Sequence, residues 1–331
     1  MEYRQFGRTE LRVSALGFGC GAVGGLLVRG DHREIVKAVS YAIESGINYF
    51  DTARSYGDGQ SETNLGLALK ELGGEVVIGT KVDLRSEEMD DIEGSILASV
   101  EGSLQRLQRE RVDLIQLHNP LALQRRPEQG WLSTDDAEAA LEAFAKLKEQ
   151  GKVGHYGING LGETPAIHKI IATGLADTTQ TAYNLLNPSA GQHVPSDFPF
   201  QDYEQIISRA ATMGMGTIAI RVLAAGALSG STARHPNAAQ GVGPIGTSAS
   251  YADDVALARK LSFLVEEGYV ESLIEAAIRF VIGNAAVSTA LVGLSNTAQL
   301  ELAIAFANRG PMPVEAIERL NEVWASMAGT V

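Results

Sequence analysis

Cysteine is nearly absent from this chain of 331 residues, in which Cys20 is the single example. One cysteine forms no intrachain disulfide, and it excludes any metal site built from several thiolates. The six histidines form no HxxxH or HxH pair, so the sequence predicts no metal cofactor. This cysteine usage is typical of a reducing compartment, and we expect a cytoplasmic protein.

Basic clusters and long apolar segments are also lacking. The formal net charge is -13, and the longest basic cluster is the short one at Arg125 and Arg126. Such a chain offers no Lys/Arg surface for a phosphate backbone, so we expect no nucleic-acid partner. No stretch approaches the roughly 18 apolar residues of a membrane helix, and the first residues lack a signal-peptide pattern. We therefore expect no membrane association.

Apolar residues are abundant, at 45% of the chain against 20% charged. Short β-branched or apolar runs alternate with segments of helical period, which is typical of a parallel sheet. Eight such pairs predict a (β/α)8 TIM barrel that forms a single domain over residues 1–331. The predicted strands cover residues 15–18, 48–51, 76–81, 113–118, 154–158, 178–182, 216–220 and 288–292.

The helical pattern predicts one helix after each strand, and two further pieces outside the repeat. The predicted barrel helices cover residues 33–45, 61–72, 89–106, 135–150, 165–173, 201–213, 255–267 and 297–307. Residues 3–6 and 11–13 flank Gly7-Arg8-Thr9 and predict an amino-terminal β-hairpin, whereas residues 313–327 predict a carboxyl-terminal helix.

The connection after the seventh predicted strand, residues 221–250, is the longest and is rich in Gly, Ala and Ser. A flexible surface loop is one interpretation of such a segment. A lid is the other, because long loops in compact domains are often lids, and this one leaves the carboxyl end of a barrel strand. The sequence leaves both open.

Ionisable residues end three successive predicted strands: Asp51 ends the second, Lys81 the third and His118 the fourth. Tyr56 follows shortly after, in the loop DTARSYGDG. Each residue alone has an ordinary structural explanation, such as a turn cap or a solvated strand end. However, the carboxyl ends of parallel strands meet at one rim, where barrel enzymes keep their active sites. Their convergence there predicts a catalytic site.

The chemistry of these four groups suits hydride transfer to a carbonyl, which needs a proton donor where negative charge develops on oxygen. A free tyrosine has a pKa of about 10. The sequence predicts that the Lys81 ammonium lowers the pKa of Tyr56 and that Asp51 holds Lys81 in place. His118 is then expected to donate a hydrogen bond that orients the substrate oxygen.

Several longer motifs accompany these residues: LGFGCGAVGG, GINYFDTARSYGDGQSE, IGTK, RVDLIQLHNP, LKEQGKVGHYGIN, QTAYNLL, IAIRVLAAGALSG and LVGLSNTAQLE. With them the chain resembles the aldo-keto reductase superfamily nearly from end to end. The resemblance implies a small carbonyl or alcohol substrate, NADP(H) or NAD(H) as cofactor, and Asp51, Tyr56, Lys81 and His118 as the catalytic tetrad. It also implies a set of cofactor-binding residues: Gly19, Cys20, Asp51, Asn159, Gln180, Ile220, Arg221, Leu223, Gly226, Leu228, Gly293, Ser295 and Gln299.

The chain departs from the common family pattern at several cofactor positions. Asn159 and Gly160 stand where many members have Ser-Asn, and Ile220 replaces an aromatic stacking residue. The combination of GINGLGE with LVGLSN is closer to a branch that resembles L-galactose dehydrogenase and other aldose dehydrogenases. It favours sugar-type or similarly hydroxylated substrates.

Cofactor choice depends on two positions where members of the family commonly carry Lys and Arg for the 2′-phosphate of NADPH. Gly293 and Gln299 occupy them here, and residues 291–308 contain no Lys or Arg. We therefore expect weak discrimination between NAD(H) and NADP(H). Arg234 in the long segment is the candidate for a substitute phosphate ligand.

The sequence also offers two alternatives to this function. Gly19-x-Gly21-x-x-Gly24 matches the Rossmann fingerprint by letter, but Gly25 to Gly30 separate it from the next predicted helix, and Asp51 comes too late. A nicotinamide-binding regulatory protein, similar to potassium-channel β-subunits, is the alternative from a different class. The sequence shows no basic or apolar docking surface that would favour this alternative. The oligomeric state is not indicated by the sequence either.

Overall fold

Eight parallel strands close into a barrel in which neighbours along the chain are neighbours in space, and the last strand pairs with the first. The computed structural model describes residues 1–245 and 250–327. A hairpin of β1 (Tyr3–Gln5) and β2 (Arg12–Ser14) precedes the barrel. The barrel strands are β3 (Leu16–Gly19), β4 (Tyr49–Asp51), β5 (Val77–Val82), β6 (Val112–Leu117), β7 (Val153–Gly160), β8 (Thr178–Ala182), β9 (Gly216–Ile220) and β10 (Thr289–Gly293).

The helices surround this barrel. They are α1 (Leu26–Arg29), α2 (His32–Glu44), α3 (Gln60–Leu72), α4 (Ile92–Leu107), α5 (Thr134–Glu149), α6 (Thr164–Thr173), α7 (Ile206–Thr212), α8 (Tyr251–Arg259), α9 (Phe263–Glu266), α10 (Leu273–Ile282), α11 (Thr297–Ala307) and α12 (Val314–Met327). Side-chain caps begin several of them, as where Asp31 accepts from Glu34 and Asn296 from Gln299. The predicted (β/α)8 barrel, with its hairpin and terminal helix, is confirmed.

The helix predictions were wrong on both sides of β9. Residues 255–267 form no single helix, because α8 ends at Arg259 and the short α9 begins at Phe263. The helix between β9 and β10 that packs on the barrel is α10, which the pattern missed. Seven of its ten residues are buried, and its charged side chains Glu275 and Arg279 pair with each other. Its short apolar run is one that a sequence pattern does not assign clearly to a helix or a strand. The predicted helix 201–213 begins only at Ile206, because Glu204 and Gln205 adopt positive φ.

The Rossmann alternative is excluded by the closed barrel. A Rossmann fold has an open sheet with the glycine-rich turn leading directly into a helix, whereas β3 here pairs with both β4 and β10. Gly19 ends β3, and Gly24 lies against the backbone that follows β10, since a Cβ on it would stand 2.4 Å from the Leu294 nitrogen. These glycines therefore allow a close approach of two backbone segments.

The hairpin closes the amino-terminal end of the barrel. Phe6 is fully buried and contacts the Tyr49 ring edge-on at 5.7 Å between ring centroids. Gly7 adopts φ +58°, and a Cβ there would stand 2.2 Å from the Gly216 nitrogen, so only glycine fits this turn against the barrel. The hairpin therefore covers the amino-terminal end of the barrel and leaves the opposite, carboxyl-terminal rim free of it.

A charged cluster ties the hairpin to the barrel strands. His155 on β7 lies between the Glu10 carboxylate, 3.1 Å from its Nε2, and the Asp177 carboxylate, 3.3 Å from its Nδ1. Arg8 and Lys148 also contact Asp177, at 3.2 Å and 3.6 Å. The hydrogen bond to Asp177 raises the pKa of His155, and the contact with Glu10 adds to this against the opposing effect of burial.

This cluster predicts a pH-dependent stability. A group whose folded pKa is raised stabilises the fold fully below its unfolded pKa, about 6.5 for histidine, and loses that contribution as the pH rises through the folded value. We expect the unfolding free energy of the wild type to fall, relative to that of His155→Gln, between about pH 6 and pH 8.5. Urea denaturation at both pH values measures this, and an equal pH response of the two proteins would contradict it.

Candidate active site

Asp51, Lys81 and Tyr56 meet at the carboxyl-terminal rim of the barrel. Lys81 lies near the end of β5 and is fully buried; its Nζ donates to Asp51 Oδ1 at the end of β4. The same Nζ donates to the Thr52 carbonyl at 2.7 Å and to the Tyr56 hydroxyl at 3.3 Å. The predicted proximity of these three side chains therefore agrees with the structure.

The buried ammonium of Lys81 keeps its proton. Burial alone would lower the pKa of this group, but the Asp51 carboxylate and the Tyr56 hydroxyl outweigh burial, and the pKa of Lys81 is raised. A cation therefore lies beside the Tyr56 hydroxyl throughout the neutral pH range.

The net shift in the pKa of Tyr56 is opposite to the predicted one. Burial raises the pKa of Tyr56, Lys81 lowers it, and Asp51 raises it again, with a net upward shift. Lys81 thus lowers the pKa of Tyr56, as predicted. The prediction of a net lowering was wrong for the protein alone, because the sequence does not show how far the hydroxyl is removed from water.

Asp51 is held by more than the lysine. Its Oδ2 accepts a hydrogen bond from Gln180 Nε2 at 2.8 Å and one from the Tyr49 hydroxyl at 3.2 Å. Gln180 is buried on β8, four strands away around the barrel. Gln180, which the resemblance places among the cofactor-binding residues, donates its amide nitrogen to Asp51, and its side chain also lines the cavity described next.

His118 follows β6 directly and stands edge-on to Tyr56, with 5.7 Å between ring centroids. Its backbone carbonyl accepts a hydrogen bond from Asn159 Nδ2 at 3.1 Å. Asn159 Oδ1 is buried without a hydrogen-bond partner among the described residues. A buried, unpaired acceptor costs free energy, so Asn159 offers an unused acceptor beside the mouth.

A cavity of about 460 Å³ begins at this site and crosses the rim towards α11. It brings together most of the residues predicted for catalysis and cofactor binding: Gly19, Asp51, Tyr56, His118, Asn159, Gln180, Ile220, Arg221, Leu223, Gly226, Gly293, Ser295 and Gln299. Cys20, Lys81 and Leu228 do not line it. Cys20 and Leu228 are buried in the core instead, and burial raises the pKa of the Cys20 thiol.

The sequence analysis assigned no role to some of the residues that line the cavity. They include His235, Ile245 and Tyr251, which belong to the long segment and the helix after it, as well as Ile274 and Ile278 of α10. The sequence signals that pointed to these residues were the apolar run of α10 and Tyr251, an aromatic residue directly after the long segment. Neither indicates a cavity without the barrel geometry.

The long segment after β9 packs over the cavity. Arg29 Nε donates to the Asn237 carbonyl at 2.7 Å, Ala239 donates through its backbone to Val23, and Asn237 Nδ2 donates to the Ser295 carbonyl at 3.0 Å. Up to residue 245 the segment is therefore attached to the loops after β3 and β10. This favours the lid interpretation over a free surface loop; residues 246–249 of the predicted segment lie outside the described residues.

The family model described as "Aldo/keto reductase family" matches residues 15–325, which include the whole barrel. This chain belongs to the aldo/keto reductase family. Membership supports an oxidoreductase that acts on a small molecule with a nicotinamide cofactor. Within the described residues no group of three or more His, Cys, Asp or Glu side chains is arranged to hold a metal ion, and no helix is long and apolar enough to span a membrane.

Individual members of the aldo/keto reductase family resemble the chain to different extents. Aldo-keto reductase YhdN of Bacillus subtilis is 26% identical over 308 residues, which cover 91% of this chain and 87% of that protein. L-galactose dehydrogenase of Arabidopsis thaliana is 35% identical over 164 residues, 49% of each protein. The glycerol dehydrogenase AKR11B4 of Gluconobacter oxydans superposes with a TM-score of 0.73 at 22% identity, over 99% of this chain and 97% of that one. That likeness supports the fold.

Proposed function

We propose that the protein transfers a hydride between NAD(P)(H) and a small aldehyde, ketone or sugar-type alcohol, with Tyr56 as the general acid and base. One observation carries this proposal. The Tyr56 hydroxyl lies 3.3 Å from the charged Lys81 ammonium, at the end of a cavity that His118 also lines. A proton donor beside a buried cation is the arrangement that carbonyl reduction requires.

Each side chain has a separate task in this reaction. The reduced cofactor supplies the hydride. Tyr56 gives its proton to the substrate oxygen as negative charge develops there, and Lys81 stabilises the resulting phenolate. Asp51 keeps Lys81 charged and in place, while His118 orients the substrate oxygen at the mouth.

The residues along the cavity fit a nicotinamide dinucleotide. The unpaired Asn159 Oδ1 is an acceptor for a carboxamide N–H, in the position where other members have serine. The exposed Gly293 and Gln299, and the buried Ser295 with its hydroxyl on the Gly24 carbonyl at 2.7 Å, lie at the other end. Gly293 lines this end of the cavity without a side chain, which leaves room for a phosphate linkage.

A spectrophotometric screen tests the proposed function. Purified protein is mixed with NADH or NADPH and a panel of aldehydes, ketones and aldoses, or with the oxidised cofactors and sugar alcohols, and the nicotinamide absorbance is followed. We expect turnover with at least one small carbonyl or hydroxylated substrate. Cofactor binding without turnover on the whole panel would favour the alternative, a regulatory protein similar to channel β-subunits.

Among the residues that the structure describes, Arg234 and Arg221 are the Lys or Arg side chains that line the cavity. The Nε of Arg234 donates to the Ala239 carbonyl at 2.5 Å, and another of its nitrogens to the Ala225 carbonyl at 2.8 Å. The guanidinium also stacks on Tyr251, 5.2 Å from the ring centroid. Two of its five donors are thus engaged by the segment itself, which leaves it only partly available to a 2′-phosphate.

We therefore expect weak cofactor discrimination. Two lost charge-assisted hydrogen bonds, each worth about 1.5–3 kcal/mol, remove most of the preference for the phosphorylated cofactor. The kcat/KM with NAD(H) is expected to lie within about 100-fold of that with NADP(H), a gap of roughly 2.7 kcal/mol at most. Parallel kinetics with the two cofactors measure the ratio.

The Arg234→Ala variant supplies the control for this expectation. If Arg234 contributes to phosphate binding, the variant loses activity with NADP(H) selectively, whereas a purely structural effect lowers both activities together. A preference of the wild type for NADP(H) by about 1000-fold or more would contradict weak discrimination.

A further inference from the structure

A second tyrosine, Tyr49, lies behind Asp51 in the interior of the barrel. Tyr49 and Asp51 are two residues apart on β4, so their side chains lie on the same face of the strand. The Tyr49 hydroxyl donates to Asp51 Oδ2 at 3.2 Å. Its ring is fully buried and packs edge-on against Phe6 of the hairpin. Tyr49 therefore connects the covered end of the barrel with the rim that carries Tyr56.

A glycine on the neighbouring strand makes room for the Tyr49 hydroxyl. Gly79 of β5 pairs with Asp51 in the strand register. A Cβ on Gly79 would stand 2.5 Å from the Tyr49 hydroxyl oxygen and 3.1 Å from the ring carbon that bears it. Alanine at position 79 would therefore push the hydroxyl away from Asp51, whereas a phenylalanine ring at position 49 would lack the clashing oxygen. The hydroxyl of Tyr49 and the missing side chain of Gly79 are thus complementary.

The chemistry of the two groups fixes the direction of their hydrogen bond. Burial raises the pKa of Tyr49 well above its ordinary value, and the Asp51 carboxylate raises it further. Tyr49 therefore keeps its proton, and an ionised carboxylate only accepts. The O–H dipole of Tyr49 consequently points its positive end at Asp51 and offsets part of the negative charge of this carboxylate.

The charge of Asp51 acts on Tyr56 through Lys81, which lies between them. The Lys81 ammonium donates both to the Asp51 carboxylate and to the Tyr56 hydroxyl. Lys81 lowers the pKa of Tyr56, whereas Asp51 raises it. A donor that offsets the charge of Asp51 therefore leaves the cation of Lys81 more effective at the Tyr56 hydroxyl. Tyr49 is such a donor, at a distance from the reacting atoms.

We propose that Tyr49 is a positioning residue, which orients the Asp51 carboxylate and offsets part of its charge. Lys81 is thereby left to stabilise the Tyr56 phenolate more strongly. A continuous series of hydrogen bonds runs from the barrel interior to the cavity, through Tyr49, Asp51, Lys81 and Tyr56. Tyr49 itself does not line the cavity. This inference rests on the proposed function in one respect, that Tyr56 is the group that exchanges the proton.

Tyr49→Phe tests the proposal, because it removes the hydroxyl and keeps the ring against Phe6. The rise of kcat for alcohol oxidation with pH is expected to move upward by up to about one pH unit, the equivalent of one hydrogen bond. Carbonyl reduction should persist to correspondingly higher pH. The KM for the substrate should hardly change, since Tyr49 does not line the cavity. A merely structural defect would lower activity at every pH without moving the profile.

Gly79→Ala disturbs the same hydrogen bond without removing a polar group. Its methyl group displaces the Tyr49 hydroxyl, so the pH profile should shift in the same direction as in Tyr49→Phe. In the Tyr49→Phe background the methyl group meets no hydroxyl, and the double variant should keep the profile of Tyr49→Phe alone. Additive shifts of the two substitutions would overturn the proposal, and so would a wild-type profile in folded Tyr49→Phe.

Thr178→Val is the matched control, because Thr178 is fully buried on β8 and its hydroxyl accepts from Gln116 Nε2 at 3.3 Å. This variant also loses a buried hydroxyl, but it is expected to keep the wild-type profile.

Carbon NMR of protein labelled at the tyrosine Cζ follows the ionisation of Tyr56 without substrate, with its signal assigned from its loss in Tyr56→Phe. We expect the Tyr56 titration to move to higher pH in Tyr49→Phe and to stay unchanged in Thr178→Val. The expected shift, found in a protein that turns over no substrate, would refute the proposed function alone. An unchanged titration of Tyr56 in Tyr49→Phe would refute the role of Tyr49.

Discussion

Replacement of Tyr56 by phenylalanine is expected to lower turnover by roughly 10²- to 10⁴-fold, the range that general acid catalysis contributes. The substitution removes only the hydroxyl that receives a hydrogen bond from Lys81 at 3.3 Å. The ring remains, so the wall of the cavity keeps its shape, and cofactor affinity should hardly change. Steady-state kinetics combined with a fluorescence titration of the cofactor separate these two effects.

Tyr183→Phe provides a control for the loss of a buried hydroxyl as such. Tyr183 is buried, and its ring packs on Phe280 with 4.8 Å between centroids. Because it does not line the cavity, this variant is expected to turn over nearly as fast as the wild type. A Tyr56→Phe variant with near wild-type turnover would refute the proposed role of Tyr56.

The barrel and its rim were predictable because the relevant signals are local. Each strand is a short apolar run, and residues that end successive parallel strands must share a rim. This reasoning places Asp51 and Lys81 together without any knowledge of the loops. Tyr56 was predictable from its short distance along the chain from Asp51.

The sequence-based predictions fail where the outcome depends on how deeply a residue is buried, because burial depends on the whole fold. The mostly buried α10 is a short apolar run, and such a run does not distinguish a helix from a strand in the sequence. The hydrogen bond from Gln180 to Asp51 joins residues 129 positions apart, and no local pattern indicates it. The net shift in the pKa of Tyr56 likewise depends on how much water its hydroxyl loses. This loss is known only once the side chains of the rim are packed.

The second large effect is expected from Lys81→Met, on stability as well as on activity. Lys81 is fully buried, and Asp51 is only 3% exposed. The methionine leaves the Asp51 carboxylate without its cation. Removing one partner of a buried ion pair typically costs about 3–5 kcal/mol of folding free energy, and urea denaturation measures this loss. Adding Asp51→Asn to the same variant removes the uncompensated charge, and is expected to restore part of the stability.

The same substitution should move the pH profile of any remaining activity. Lys81 lowers the pKa of Tyr56 against the effect of burial, so its loss raises that pKa further. Alcohol oxidation needs Tyr56 without its proton, and its rise with pH should therefore shift to higher pH in Lys81→Met. Carbonyl reduction needs the protonated form, and should persist to higher pH than in the wild type. Opposite behaviour, or a profile identical to that of the wild type, would show that Lys81 supports the fold without tuning the proton donor.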